Sequence, residues 1–521
     1  MSWRRSMLAA AGAIGLLLTG AAVPATGAPT GSRNVVQTDR GPVRGVLGEN
    51  YRAFNGIPYA AAPVGELRWR SPQPAPRWRE PLDASVPGPD CAQTPFFSRP
   101  ASDHEDCLFL NVVTPRRASG RLPVLVWFHG GGYTNGSGAE QDGRTLAAAG
   151  DVIVVTVNYR LGALGFLALP ALDGERRGAE SGNFGIEDQQ AALRWVRRNA
   201  AAFGGDPGNV TIFGSSAGSG SVCMNLISPA AAGLFHKAIL QSFTCGWPMT
   251  PRPDAEAAGA TFAAGIGCAD PATVLRCLRD KPVGDLVAAW PGGFPVIGGR
   301  LLPMQPPDAL RADRFHHVPM MLGNAKDEMR LFVSLQHDGA GRPVDAATFE
   351  QIVRSSYGAD AEQVLTRYPL SAYPTPGIAL ATVQTDAPGL LSTCSHLGSY
   401  RTFAARPFPV PVHAYQFADR TAPPLVDVPG FDEGAEHSVE LNFLFPGHHE
   451  LSAPQQALAG TMIGYWANFA HRGNPNGPGL PDWPRFRTAA DVLTLDLGPG
   501  GVRPVDIGAA SNCAMWESMG G

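Results

Sequence analysis

Lysine is scarce in this chain of 521 residues. Lys237, Lys281 and Lys326 stand among 41 basic residues, so arginine carries almost all of the positive charge. The formal net charge is -4, and neither a charge block nor an internal repeat interrupts the sequence. Without a basic excess or a basic patch, neither nucleic acid nor an anionic membrane is predicted as a partner. The preference for arginine, with abundant alanine, glycine and proline, is typical of a GC-rich bacterial genome.

Long apolar runs are absent beyond the amino-terminal region. There, Arg4 and Arg5 precede an apolar core at residues 8–18, and small residues follow. This order predicts an export signal over residues 1–28, cleaved near residues 25–28, by the Sec or the twin-arginine route. The apolar core is shorter than the roughly 20 residues of a membrane span, although an uncleaved anchor is the alternative. We expect a secreted bacterial protein with no stable membrane insertion after the signal is removed.

Metal-binding cysteine patterns are also absent. None of the eight cysteines forms a C-x-x-C pair and no histidine cluster accompanies them, so structural zinc is not expected. In an exported protein, cysteines indicate disulfides, although the sequence alone does not determine the pairs. The cysteines are Cys91, Cys107, Cys223, Cys245, Cys268, Cys277, Cys394 and Cys513.

Short apolar runs alternate with helical patterns along the chain. Leu122–Phe128 and residues 152–157 are continuous apolar runs, as expected of strands buried in a parallel sheet. A helix is predicted over residues 186–203, where the following glycines end it. No linker divides the chain, so we predict one domain over residues 29–521. It has an α/β fold with a large, mostly parallel central sheet and helices on both faces. Later strands are predicted over residues 318–322, Val412–Phe417 and residues 492–497.

Ser216 lies in Gly214-Ser215-Ser216-Ala217-Gly218, a G-x-S-x-G pattern. The apolar run at residues 210–213 precedes it, and a helix-like stretch follows. A serine nucleophile on a sharp strand-to-helix turn needs this context, because only small flanking residues tolerate the crowded backbone. We therefore predict Ser216 as a nucleophile, with an ordinary loop of glycine and serine as the alternative.

A nucleophilic serine needs donors for the oxyanion that forms on its substrate. The sequence His129-Gly130-Gly131-Gly132 follows a predicted strand, and glycines allow main-chain N–H groups to converge. Gly131 and Gly132 are predicted as two donors and Ala217, after the nucleophile, as a third. A plain glycine-rich turn is the alternative. His129 is expected to be structural, because it precedes the serine.

The serine also needs an acid and a histidine, which follow it in that order in this architecture. His437 stands in a small polar loop between strand-like segments at Val412–Phe417 and residues 441–445, a position that suits the base. The acid is expected in the loop after the predicted strand at residues 318–322, where a carboxylate can hold the imidazole tautomer. Asp327 and Glu328 both qualify there, and spacing alone does not choose between them.

Several longer motifs occur in a distinctive order. They are F-N-G-I-P-Y-A from Phe54, E-D-C-L-F-L-N-V from Glu105, H-G-G-G-Y from His129, V-N-Y-R-L-G from Val157, G-N-F-G from Gly182, F-G-G-D-P from Phe203 and G-N-P-N from Gly473. This series resembles the type-B carboxylesterase and cholinesterase family of α/β hydrolases, from about Arg40 to Trp516. The resemblance implies the α/β-hydrolase fold and serine esterase chemistry.

The resemblance also assigns individual residues. The family's glutamate follows an aspartate, which implies Glu328 as the acid, and the family's histidine corresponds to His437. Glu440 matches a carboxylate that supports the triad in the family, and Ser242 would join it. Ordinary buried hydrogen bonding is the alternative for both residues. The implied disulfides are Cys91–Cys107, Cys268–Cys277 and Cys394–Cys513. Cys223 and Cys245 lie outside the family's common set, and we expect a fourth bridge between them or two buried thiols.

Several positions depart from the family pattern. Ser215 stands where most members carry a glutamate that helps cholinesterases to hold a cationic substrate. Residues 92–106 lack the tryptophan that stacks on a quaternary ammonium in cholinesterases, although Phe96 and Phe97 are present. Both features argue against choline esters. Met329 replaces the usual glycine and Gly298 the usual aspartate, and the second change has no explanation in the sequence.

The resulting hypothesis is an exported serine carboxylesterase that forms an acyl-enzyme on Ser216 and needs neither cofactor nor metal. A lipase acting on longer-chain esters is the alternative, but residues 92–106 are short for an apolar lid. A non-catalytic binding or adhesion module of the same fold is a third interpretation, which the filled triad positions disfavour. The expected partner is a small-molecule ester, and the sequence indicates neither its acyl and alcohol groups nor the oligomeric state.

Overall fold

An eleven-stranded sheet forms the centre of the protein. The computed structural model describes residues 34–96, 99–117, 120–175, 180–405, 410–447 and 449–519. The expected export signal at residues 1–28 and Phe97 lie outside the described residues. Contacts group the described chain, which begins at Asn34, into one compact unit.

The strands alternate along the chain with helices. Among the described residues the strands are β1 (Val35–Gln37), β2 (Pro42–Arg44), β3 (Val46–Leu47), β4 (Tyr51–Pro58), β5 (Leu82–Asp83), β6 (Phe109–Pro115), β7 (Leu122–Phe128), β8 (Ile153–Val157), β9 (Gly205–Ser215), β10 (Lys237–Gln241), β11 (Thr250–Pro251), β12 (Val296–Ile297), β13 (Met320–Ala325), β14 (Val412–Phe417), β15 (Val492–Leu495) and β16 (Arg503–Val505).

The α-helices of the described residues range from a single turn to 20 residues. They are α1 (Arg144–Gly150), α2 (Gly162–Phe166), α3 (Pro170–Gly174), α4 (Phe184–Asn199), α5 (Ala217–Ile227), α6 (Arg252–Gly265), α7 (Val274–Asp280), α8 (Val283–Ala289), α9 (Pro306–Arg311), α10 (Arg330–Val333), α11 (Ala346–Tyr357), α12 (Ala361–Arg367), α13 (Pro376–Asp386), α14 (Thr393–Ala404), α15 (Leu441–Leu444), α16 (Ala453–Arg472), α17 (Ile507–Ala510) and α18 (Cys513–Ser518).

The large sheet is parallel at its centre and antiparallel at its edges. Its order is β16-β15-β14-β13-β10-β9-β7-β8-β6-β4-β3. The neighbours from β8 to β15 pair in parallel, whereas β6, β4 and β3 at one edge and β16 at the other pair antiparallel. The predicted parallel sheet is therefore confirmed for the centre. The other sheets have the orders β1-β2-β5 and β11-β12.

Strand β7 shows why the centre is covered on both faces. All seven of its residues are buried. Its side chains alternate, so that Val124 and Val126 join one apolar cluster while Leu125 and Trp127 join another. Helices α4 and α5 contribute to the first cluster, and α1 and α16 contribute to the second. A strand buried on both faces has apolar residues at nearly every position, and the sequence of β7 shows this pattern.

Two sequence expectations need correction at the level of elements. Residues 441–445, expected to be strand-like, include the short helix α15, whose apolar residues Phe443 and Leu444 are buried beside α16. A run this short has no periodicity that separates a strand from a helix, so tertiary packing decides. The helix expected over residues 186–203 is α4 followed by a 3-10 turn at Ala200–Phe203, which ends at Gly204 with φ 92°.

Four disulfides are present among the described residues: Cys91–Cys107, Cys223–Cys245, Cys268–Cys277 and Cys394–Cys513. The second of these ties helix α5 to the loop that follows β10. Within the same described ranges, no helix is both long enough and apolar enough to cross a bilayer.

Candidate active site

Ser216 stands on the sharp turn between β9 and α5, which we call the nucleophile elbow (residues 214–218). Its backbone has φ 56° and ψ -129°, a conformation that is strained for any residue except glycine. The Ser216 N–H donates to the Gln241 carbonyl oxygen at 2.9 Å, which holds the turn against β10. A Cβ on Gly218 would lie 2.0 Å from the Phe128 carbonyl oxygen, so the elbow tolerates only glycine there. The hydroxyl-bearing side chain remains partly exposed at the carboxyl end of the sheet.

The glycine run after β7 lies beside this serine. A Cβ on Gly130 would lie 3.2 Å from Ser216 Cβ, and Gly131 and Gly132 have φ values of 97° and 63°. A Cβ on Gly131 would lie 2.3 Å from the Asn135 carbonyl oxygen, so this turn also requires glycine. Among the described residues, the N–H groups of Gly131, Gly132 and Ala217 donate no hydrogen bond. Unused main-chain donors on a glycine turn that approaches a strained serine are what an oxyanion site needs.

His437 and Glu328 are in direct contact, although they lie on different loops. His437 Nδ1 and Glu328 Oε2 are 2.5 Å apart, and both side chains are buried. Because a carboxylate only accepts, the Nδ1–H of His437 donates in this hydrogen bond. Glu328 Oε1 accepts the Ala325 N–H at 2.7 Å, which fixes the carboxylate. His437 Nε2 is buried and has no hydrogen-bond partner among the described residues, so it is available as a proton acceptor.

Asp327, the other carboxylate that spacing left open, has different partners. Its two oxygens accept from Arg420 Nε and Nη2, both at 2.8 Å, and it forms an ion pair with Arg330 at 3.4 Å. Asp327 Oδ2 also accepts the Ala435 N–H at 3.1 Å. Ala435 belongs to the histidine loop (residues 434–438). Asp327 therefore holds the loop in position, whereas Glu328 contacts the imidazole itself.

The carboxyl group of Glu440 is buried near His437. Glu440 Oε1 accepts from Gln241 Nε2 at 3.0 Å. Burial, with the negative charge of Glu328 second, raises the pKa of Glu440 to about 7. The Ser242 hydroxyl, which was expected to join Glu440, has no hydrogen-bond partner among the described residues. His129 is buried and stacks on Tyr159 with ring centroids 4.3 Å apart, and burial lowers the pKa of its imidazole to about 4.

Sequence reasoning missed one contact at the site. Ser215 Oγ and Ser438 Oγ are 2.7 Å apart and buried, and they lie directly next to Ser216 and His437 in the chain. The two serines are 223 residues apart, so no local pattern links them. Phe332, whose ring centroid is 5.2 Å from that of His437, adds an apolar surface.

The chain is similar to known proteins over most of its length. The model of the carboxylesterase family matches residues 32–516. The chain belongs to the carboxylesterase family. Fumonisin B1 esterase of Sphingopyxis macrogoltabida is 32% identical, over 95% of this chain and 93% of that protein. Liver carboxylesterase of Sus scrofa is 34% identical, over 92% of this chain and 93% of that protein.

A further relative and a solved structure extend the comparison. Para-nitrobenzyl esterase of Bacillus subtilis (strain 168) is 32% identical, over 89% of this chain and 95% of that protein. A solved structure of a PNB esterase matches with a TM-score of 0.74 and 32% identity, over 89% of this chain and 96% of the other. The predicted α/β-hydrolase fold is confirmed, and this carboxylesterase is a carboxylic ester hydrolase.

Proposed function

We propose that this carboxylesterase is an exported serine enzyme in which Ser216 is the nucleophile, His437 the base and Glu328 the acid. The observation that carries the proposal is the hydrogen bond from His437 Nδ1–H to Glu328, with His437 Nε2 left without a hydrogen-bond partner among the described residues. The 2.7 Å contact between Ser215 and Ser438 supports the pairing of Ser216 with His437, because it brings the chain neighbours of these two residues together.

The proposed reaction has two steps. In the first, Ser216 Oγ bonds to the ester carbonyl carbon while its proton passes to His437 Nε2. His437 then donates that proton to the leaving oxygen, so the alcohol departs and the acyl group stays on Ser216. In the second step a water molecule attacks the acyl carbon, and His437 accepts its proton. The proton returns to Ser216 Oγ as the carboxylic acid leaves.

The charge that develops on the carbonyl oxygen needs stabilisation in both steps. The N–H groups of Gly131, Gly132 and Ala217 are the proposed donors, since each is unused in the described structure. Ala217 follows Ser216 in the chain, and the glycine run approaches Ser216 at Gly130. One such donor contributes roughly 3 kcal/mol to the transition state in serine hydrolases. Glu328 holds the imidazole in the required tautomer and stabilises its positive charge during each transfer.

Replacement of Ser216 tests the proposal. We expect Ser216→Ala to lose hydrolysis of p-nitrophenyl butyrate by roughly a million-fold, because the nucleophile is absent. The matched control is Ser219→Ala one turn along α5, which removes a buried hydroxyl without a hydrogen-bond partner in the described structure. An uncharged organophosphonate should label the wild type and the Ser219 variant but not the Ser216 variant. Full turnover by Ser216→Ala would refute the assignment.

Export is the second part of the proposal. Four disulfides support it, because such bonds form and persist outside the reducing cytoplasm. The mature enzyme then begins near residues 25–28 and forms one catalytic domain to the carboxyl terminus. Mass spectrometry of protein from the culture medium of a bacterial host tests this, since an intact Met1 on the exported protein would contradict cleavage.

We also propose that the substrates are uncharged small-molecule esters rather than choline esters. Ser215 stands where cholinesterases carry the glutamate that helps to hold a cationic substrate. Its hydroxyl forms a hydrogen bond with the hydroxyl of Ser438. Phe332 contributes an apolar surface beside His437. The measurement compares kcat/KM for p-nitrophenyl butyrate and butyrylthiocholine, and a preference for the cationic ester would overturn this part. A p-nitrophenyl series from acetate to palmitate measures the accepted acyl length and distinguishes an esterase from a lipase.

A further inference from the structure

We propose that Ser215 and Ser438 are positioning residues, whose mutual hydrogen bond sets the distance between the nucleophile and the base. This inference rests on the proposed roles of Ser216 and His437. The two hydroxyl oxygens are 2.7 Å apart, a normal length for a hydrogen bond between hydroxyls. Ser215 is 1% exposed and Ser438 is 7% exposed, so water does not compete freely for either group.

The bond connects two loops that are otherwise anchored elsewhere. The histidine loop is tied to the end of β13, since Asp327 accepts the Ala435 N–H and Glu328 accepts from His437. The nucleophile elbow is tied to β10, since the Ser216 N–H donates to the Gln241 carbonyl oxygen. Among the hydrogen bonds of the described residues, Ser215–Ser438 is the direct link between the elbow and the histidine loop.

The local backbone makes this link effective. Ser215 is the last residue of β9 and pairs in register with Gln241, so its position is set by the sheet. Ser438 has φ 65°, a conformation that few residues other than glycine adopt, and the loop holds it despite the strain. Consecutive Cα atoms are only about 3.8 Å apart, so fixing Ser215 and Ser438 restricts the displacement of Ser216 and His437.

Rate is expected to respond more than substrate binding. A misplacement of about 1 Å can cost roughly a hundred-fold in rate, because proton transfer depends on the distance between the two groups. Neither Ser215 nor Ser438 offers a free, exposed hydroxyl to a substrate. Loss of either hydroxyl should therefore lower kcat roughly ten-fold and leave KM unchanged.

The experiment uses Ser215→Ala, Ser438→Ala and the double variant, with Ser219→Ala as control. The readouts are kcat and KM for p-nitrophenyl butyrate, the rate of phosphonylation of Ser216 and the thermal unfolding midpoint. Both single variants should lose kcat and react more slowly with the phosphonate. The double variant should be no slower than the slower single variant, because both changes remove the same bond.

A glycine variant separates position from stability. Ser438→Gly removes the hydroxyl and also relieves the strain of the positive φ, so its folded state should be at least as stable as that of Ser438→Ala. We expect it to lose kcat as Ser438→Ala does. Restoration of wild-type kcat by glycine would overturn the inference, because strain rather than the hydrogen bond would then explain the loss.

Other outcomes overturn either this inference or the proposed function. If both alanine variants match Ser219→Ala in kcat and labelling, or if the two losses multiply in the double variant, the shared bond does not position the site. If Ser216→Ala retains turnover, the nucleophile is wrong and the proposed function fails. An inactive Ser216→Ala with unaffected Ser215 and Ser438 variants refutes the positioning role alone.

Discussion

Asp327 and Glu328 are neighbours in the sequence with different partners in the structure. Glu328 contacts His437, whereas Asp327 accepts from Arg420 and from the main chain of Ala435. From residue types and spacing alone, either carboxylate could serve as the acid, and only the family resemblance favoured Glu328. Side-chain direction on a loop depends on the groups around it, and those groups lie about 100 residues further along the chain.

At the residue scale, we predict that Glu328→Gln lowers kcat by roughly a thousand-fold or more while the fold is retained. Glutamine can still accept the Ala325 N–H through its oxygen, but it no longer carries the charge that stabilises the imidazolium. Asp327→Asn is the matched control, which should lower the unfolding midpoint through loss of the Arg420 ion pair and cost less activity. Equal losses of kcat in the two variants, at unchanged stability, would contradict separate roles.

At the scale of elements, continuous apolar runs predicted the buried strands well. The bounds of β7 and β14 agree with the predicted ranges. Strand β7 is apolar at every position because it is buried on both faces, whereas β14 is recognisable even though it includes His413 and Gln416. The strand-like prediction for residues 441–445 was wrong, since a short, mostly buried helix can be as rich in apolar residues as a strand. The turn sequences around Ser216 and after β7 were more informative, because their steric demands are local.

Close packing of the elbow against β7 leads to a prediction for Gly218. Alanine there would put a Cβ 2.0 Å from the Phe128 carbonyl oxygen and 2.9 Å from that of His129, so the backbone must move. We expect Gly218→Ala to lower both the unfolding midpoint and kcat. Gly460→Ala in α16 is the control, because a Cβ there meets nothing within 4 Å. It should leave kcat unchanged and stabilise the helix by up to about 1 kcal/mol, and equal effects of the two alanines would rule out the packing argument.

At the scale of the whole molecule, buried carboxyls near the active site link stability to pH. Burial raises the pKa of Glu433 to about 7 and that of Glu436 to about 8, and the charge of Glu433 adds to the rise for Glu436. Glu436 Oε1 accepts the Leu425 N–H at 2.5 Å. Glutamate in an unfolded chain titrates near 4.3, so the folded state binds more protons than the unfolded state between these values.

The sign of this linkage makes the folded state less stable as pH rises. The contribution of Glu436 is fully present below about pH 4 and is lost as pH rises through its folded value of about 8. We predict that the unfolding midpoint falls less between about pH 6 and about pH 9 in Glu436→Gln than in the wild type, because glutamine does not ionise. The exposed Glu80→Gln variant should follow the wild type. Parallel pH profiles for all three proteins would exclude a role for Glu436.

The sequence by itself determined the family, the class of reaction, the central strands and the turn that carries Ser216. The strands and the turn follow from short local patterns, where strand burial and the steric demands of glycine turns act. The family and the reaction class follow from the order of such motifs along the chain. Tertiary structure alone decided the helix at residues 441–444, the separate partners of Asp327 and Glu328, and the hydrogen bond between Ser215 and Ser438. Each of these depends on groups brought together from distant parts of the chain. Local sequence does not determine which distant side chain a residue will contact in the folded protein.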